Sequence, residues 1–278
     1  MRRSERIVRY LIPLVALSGG AAFVAVIGYL LSHAIPAVSF TMLRSLIAPL
    51  CGSMLLVGLS LLMAAPVGIG AGIYLGAYGR GWTKRWLSFW FELLASIPSV
   101  LIGLFGFVLV LVLHRVFAGA LPSLGLAAFS VAILIQPYII KATQIGIEET
   151  PSDFVSQAYA LGATREQVIL TVMLPHALRH ILKGLLLALV RASEDTAVIM
   201  LTGAVASYGI PRTLTEPFEA LPFFIYITTA EYRDQAELGA VFVAALLLVG
   251  LTGLGVLTAQ IFEGASKNKT QKETHGRR

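Results

Sequence analysis

Apolar and polar positions alternate along this chain in blocks, with long hydrophobic runs separated by short clusters that hold most of the charge. A run of about 20 helical residues crosses the ~30 Å hydrocarbon core of a bilayer. Six runs of that length fall at roughly 10–31, 47–76, 87–113, 124–147, 181–206 and 238–262. The pattern predicts an all-α, polytopic membrane protein with six transmembrane helices. Residues 1–45 hold a basic opening, the first span and a loop, 46–262 form the transmembrane body, and 263–278 are a polar tail. The first run is too long for the apolar part of a signal peptide, and no small-x-small cleavage site follows it, so it reads as a retained helix.

One polar stretch, 150–178, stands between the fourth and fifth runs. In "TPSDFVSQAYALG", Thr150 is placed to cap a helix, Pro151 suits its first position and Asp153 its first turn, while Gly162 marks the stop. "TREQ" repeats the logic, with Thr164 as cap and Gln167 at the third position, before "VILTVML" ends at Pro175. Two short helices joined by a Gly-Ala-Thr turn are therefore predicted. Phe154, Ala158 and Leu161 recur at i, i+4 and i+7, the spacing of a docking helix. That spacing suits equally an amphipathic helix on the membrane surface or one capping its own bundle.

Composition supports the membrane assignment. Charged residues make up 13% of the chain, against about 25% in soluble domains, and mean hydropathy is +0.81. The single cysteine, Cys51, excludes an internal disulfide framework. The net charge of +6 does not gather into one patch, which argues against nucleic acid as a partner. Of the 21 basic residues, 16 lie on the side of the N-terminus and four on the other, with Arg191 inside a span. The positive-inside rule then puts both termini and the polar insert in the cytoplasm. Trp82, Trp86 and Trp90 recur every four residues at the start of the third run, where an interfacial belt is expected. Gly68, Gly72 and Gly76 form a ridge for close helix packing, and Pro66 and Pro98 mark kinks or breaks.

"YALGATREQVILTVMLP" is similar to the EAA loop of ABC-importer permeases, in which a Gly precedes an aliphatic-x-Leu-Pro; Gly162, Val172, Leu174 and Pro175 hold those places. From about residue 46 to 262, "PVGIGAGIYLGAYG", "ELLASIPSVLIGLFG", "RASEDTAVIMLTG" and "ALPFFIYITTAEYRDQAELGA" resemble PstA-type permeases of high-affinity phosphate importers. The last of these favours the PstA type over its PstC sister. The resemblance implies the type I ABC importer permease fold in the bacterial inner (plasma) membrane. It makes the insert a coupling helix, with Phe154, Ser156, Gln157, Ala158, Tyr159, Leu161, Gly162 and Ala163 meeting an ATPase. Where the family carries Glu-Ala-Ala, this chain has Ser156-Gln157-Ala158, so the usual acidic contact is missing. The implied partners are a PstB-type ATPase dimer, a PstC-type second permease, a PstS-type periplasmic phosphate-binding protein and membrane lipid. ATP and Mg would be bound by the ATPase and no cofactor by this chain, a transport subunit and not an enzyme. The sequence contains no G-x-x-x-x-G-K-[ST] stretch, which fits that division.

Charge inside a span is costly, on the order of 2.5–3.5 kcal/mol for a central Arg or Asp. Arg191, Glu194 and Asp195 lie in the fifth run, the carboxylates three and four residues after the arginine and on its helical face. They form either a self-neutralising group that fixes helix rotation or, as favoured here, part of an anion path that binds weakly enough to release. Lys141 and Gln144 form a second pair on one face of the fourth run, where the resembling permeases carry Arg and Glu. A snorkelling interfacial lysine is the alternative for Lys141. His176 and His180 stand four apart but lack a third ligand, so no metal site is expected. The fifth loop, 207–237, holds Glu216, Glu219, Glu231, Asp234 and Glu237 against two arginines. An acidic rim would repel a free anion, and by resemblance this loop would help dock a delivering protein. Permeases for phosphonate, sulfate or molybdate are the neighbouring alternatives. A stand-alone secondary transporter or channel would need no motor, and a membrane-embedded enzyme would need a nucleophile–base pair that is not evident.

Overall fold

The computed structural model describes residues 3–116 and 122–275. Arg2 and the side chains of Arg3, Arg6, Arg9 and the basic tail from Lys267 onward lie outside the described residues, and with them part of the charge asymmetry. All regular elements are helical: α1 (Arg3–Ala37), α2 (Phe40–Ile73), α3 (Gly81–Ser96), α4 (Ser99–Val116), α5 (Leu124–Glu148), α6 (Ser152–Ala160), α7 (Arg165–Val168), α8 (Leu174–Glu194), α9 (Thr196–Thr202), α10 (Leu221–Glu231) and α11 (Gln235–His275). Among the described residues, six helical stretches are long and apolar enough to cross a membrane.

Helix α5 is the central mast. Its residues Ala127, Val131, Ile135 and Ile139 are buried in the main core with Leu56, Ala188, Val198 and Phe218. The glycine ridge of α2 makes the tightest seam. Gly68, Gly72 and Gly76 abut Ile139, Thr143 and Ile147, so the two helices run parallel and in register. On another side α8 runs antiparallel to α5. Gly146 of α5 meets Ala177 and His180, and Gly184 of α8 meets Ala142 and the Tyr138 carbonyl. Small residues on both seams let backbones approach where lipid supplies no hydrophobic drive between helices.

Four expectations about the elements are corrected. The third run is not one span: extended backbone at Ile97 before Pro98 splits it into α3 and α4, because Pro disfavours helical backbone in the preceding residue. Only α4 is a candidate span, and α3, which carries the three tryptophans, buries no residue. Thr150 does not cap α6. It is buried with its hydroxyl turned back to the Gly146 carbonyl, and Pro151 occupies the cap position. The second half of the insert does not stop at Pro175. A π-helical turn, Ile169–Met173, widens the helix just before the proline, and Arg165–Glu194 continues as one span. Finally, the fifth run breaks at Asp195, which takes extended backbone and starts α9.

The 203–220 segment is also less of a loop than its sequence implies. Phe218 is fully buried, and Ala204 and Phe218 form an isolated bridge. Leu124 and Gly125 donate backbone bonds to Glu216 and Leu214, and Ser53 of α2 receives the Leu221 amide. This segment plugs the end of the bundle opposite α6.

Candidate functional site

The polar insert forms the two short helices that the sequence predicts around the Gly162 turn. Helix α6 ends in a paired closure in which the Gly162 amide donates to Tyr159 and the Ala163 amide to Ala158. Gly162 takes φ +84, a left-handed conformation that favours glycine. Thr164 and Gln167 then exchange bonds as a capping box that starts α7. Phe154 and Tyr159 on α6 and Leu161 at its C-cap are 53%, 47% and 88% exposed. Ser156 and Gln157 are exposed as well, whereas Ala158 is half-buried beside Val155, so the bare face is Phe154–Leu161 without it.

The intramembrane charges fall into separate groups. Asp195 is buried; one carboxylate oxygen accepts the Val198 amide at 2.8 Å and caps α9, and the other holds Arg191 at 3.0 Å. Asp195 is thus both helix cap and counter-ion at the break. Glu194 is exposed and does not join the pair, because the break turns the chain after it. Lys141 and Gln144 also diverge. Lys141 pairs with Glu92 of α3 at 3.4 Å, while the buried Gln144 donates to Glu148 at 2.8 Å, and Glu148 in turn pairs with Lys84 at 2.7 Å. Two ion pairs of opposite polarity therefore clasp α3 antiparallel to α5.

A cavity of about 570 Å³ opens between α5 and α8, where Lys141, Tyr138 and Glu149 face His180 and Lys183. His180 Nε2 lies 3.2 Å from Glu149. Sequence reasoning passed over Glu92, Glu149, His180 and Lys183 as members of this site. The signal was present: His176, His180, Lys183, Leu187, Arg191 and Glu194 advance by threes and fours, one stripe down α8.

At the plugged end, the acidic residues of 207–237 act largely as backbone caps. Glu219 is buried and accepts the Gly209 amide, Asp234 caps the start of α11, and Glu237 accepts the Arg233 amide. The Arg212 amide donates to Glu216 and holds its carboxyl below the usual carboxylate range, against an opposing desolvation effect.

A family model for the inner membrane component of binding-protein-dependent transport systems matches residues 68–265. The chain belongs to that family. The match contains α6, the α5–α8 groove and the Asp195 break, so the geometry above belongs to the family's own segment. Within the family the chain is of the PstA type. It is 31% identical over 226 residues to the phosphate transport system permease protein PstA of Haemophilus influenzae, covering 78% of this chain and 76% of that protein. The PstC protein of the same organism is 29% identical, covering 77% of this chain and 72% of that protein. Among solved structures, a bacterial alginate ABC transporter in complex with its alginate pentasaccharide-bound periplasmic protein superposes with a TM-score of 0.67. At 18% identity, covering 92% of this chain and 93% of that one, it shows the family fold.

Proposed function

We propose that this chain is the permease subunit through which an ATP-driven importer moves inorganic phosphate across the bacterial inner membrane. The observation that carries the reading is the bare docking helix. An α6 closed at its C-terminus by the Gly162 turn, with Phe154, Tyr159 and Leu161 exposed, fits an apolar handle for a separate motor. Six candidate spans would leave both termini on one side, and the basic bias supports the cytoplasm as that side. A PstB-type ATPase dimer would bind ATP and Mg and grip α6, beside a PstC-type second permease. A PstS-type binding protein would deliver phosphate at the plugged end, where the acidic caps discourage direct capture.

The path would follow the α8 stripe. From His176 to Glu194 it runs about 27 Å at helical rise, close to the thickness of the hydrocarbon core. Charges spread over that length face protein or water in preference to lipid. Arg191, held at one edge by Asp195, keeps the rest of its planar fork for phosphate oxygens, and Lys141 stands nearer the cytoplasm as a softer station. Closure of the ATPases would draw α6 inward and open the bundle outward, and reset after hydrolysis would release the anion. The test is reconstitution with the partner ATPase, second permease and binding protein, following ATP-dependent uptake of labelled phosphate, sulfate and molybdate. Phosphate uptake at least about tenfold above the others is expected, a ~1.4 kcal/mol discrimination. Preference for sulfate or molybdate would overturn the substrate and leave the permease role.

A further inference from the structure

Helix α7 begins directly after the Gly162 turn, and its first residue reaches far from the docking loop. Arg165 donates from Nη2 to the carbonyl of Ala77, 88 residues earlier in the chain. Its guanidinium also lies over the Tyr78 ring, 4.2 Å from the centroid. Ala77 sits in the π-helical turn Tyr74–Tyr78 that ends α2, where backbone carbonyls run out of partners inside the helix. A cation is favoured there by the helix dipole as well as by the open acceptor. Tyr78 stacks in turn on Tyr74, with ring planes 16° apart, so the arginine grips a stiff helix end.

The chain beyond this grip is built to pivot. Gly79 is extended and Gly81 takes φ +57, after which α3 departs. Helix α3 has no buried residue; it is held to α5 through the Lys84–Glu148 and Lys141–Glu92 pairs, and it ends at the Ile97–Pro98 break. It is a rod with a joint at each end, fastened by side-chain charge. Exposed ion pairs of this kind are individually worth about 0–1 kcal/mol and can be made and broken within a transport cycle.

We propose that Arg165 is the strut that carries displacement of the docking helix to the α2–α3 corner and so swings α3 against α5. The inference rests on the importer reading and makes Arg165 a positioning residue for coupling, with no contact to the transported anion. A planar guanidinium meets both demands at once, donating to a carbonyl while stacking on a ring; a lysine ammonium meets only the first fully.

The test uses the whole reconstituted importer. Arg165→Ala should still assemble with the ATPase and hydrolyse ATP, while anion imported per ATP falls about tenfold with the loss of a charge-assisted hydrogen bond and a cation–π contact. Arg165→Lys should recover part of the coupling. In a Cys51→Ser background, spin labels at Arg85→Cys on α3 and Thr229→Cys on α10 should change separation on nucleotide binding in the parent but not with Arg165→Ala. An equal change in both, no change in the parent, or parental uptake per ATP in Arg165→Ala would overturn the proposal. If Arg165→Ala does not assemble, Tyr78→Ala decides: lowered coupling supports the strut and parental coupling refutes it. Should the parent import sulfate, the substrate reading fails while the label distances still judge the strut.

Discussion

Single glycines set the closest approaches in this molecule. A methyl group placed on Gly72 would meet the Thr143 side chain and stand 2.7 Å from the Ile140 carbonyl oxygen, whereas one on Gly70 meets nothing within 4 Å. Two glycines two residues apart on one helix therefore have opposite tolerances. Gly72→Val should lower the stability of the purified chain by about 1–3 kcal/mol or more, the usual cost of overpacking, seen as a lower melting temperature in detergent. Gly70→Val should leave the midpoint nearly unchanged. Equal losses at both positions would mean that helix propensity and not the α2–α5 seam is what the ridge protects. The four-residue spacing of Gly68, Gly72 and Gly76 announced this seam in the sequence. It could not announce the partner, because Ile139, Thr143 and Ile147 form an ordinary β-branched stripe until two helices are set parallel.

At the scale of elements, what the sequence made legible were the features written in local chemistry. The existence of six spans, the α6 stop at Gly162 and the Thr164–Gln167 box depend on neighbours within a few residues, and all are found. What stayed hidden were the break at Asp195 and the clasps that depend on distant partners. Pro98 marked a kink or break in advance, but hydropathy runs straight through it, so that α3 and α4 read as one span. Glu92 and Glu148 look like boundary charges until α3 folds back along α5. Because the three tryptophans of the chain all lie on α3 at 43–68% exposure, selectively excited tryptophan fluorescence of the isolated permease reports this element alone. Glu92→Gln should release one clasp and change emission maximum or iodide quenching, while the thermal midpoint moves by no more than about 1 kcal/mol in stability. Glu92→Lys with Lys141→Glu should restore the parental spectrum. An unchanged spectrum in Glu92→Gln would show that the pair does not hold α3.

For the whole molecule, the question is why a membrane bundle should keep a stripe of polar side chains the length of one span. Lys141, His180, Lys183, Arg191 and Asp195 each find a counter-charge or line the α5–α8 cavity, yet apolar residues would fill the same volume without desolvation cost. A role confined to fixing helix rotation requires charge balance and little else, and it would tolerate removal of Arg191 together with its partner. Transport requires the arginine itself. The carboxylate cap of α9 separates the two cases, because Asp195→Asn keeps an oxygen for the Val198 amide while discharging the pair. Arg191→Gln, alone or with Asp195→Asn, should reduce ATP-dependent phosphate uptake at least about a hundredfold, some 2.7 kcal/mol, with ATPase association intact on pull-down. Asp195→Asn alone should assemble normally and tighten the anion's hold, lowering maximal uptake through slower release. If the double variant transports like the parent, the stripe serves packing and the path lies elsewhere in the bundle; if only the arginine variants fail, the guanidinium is a station that phosphate must pass.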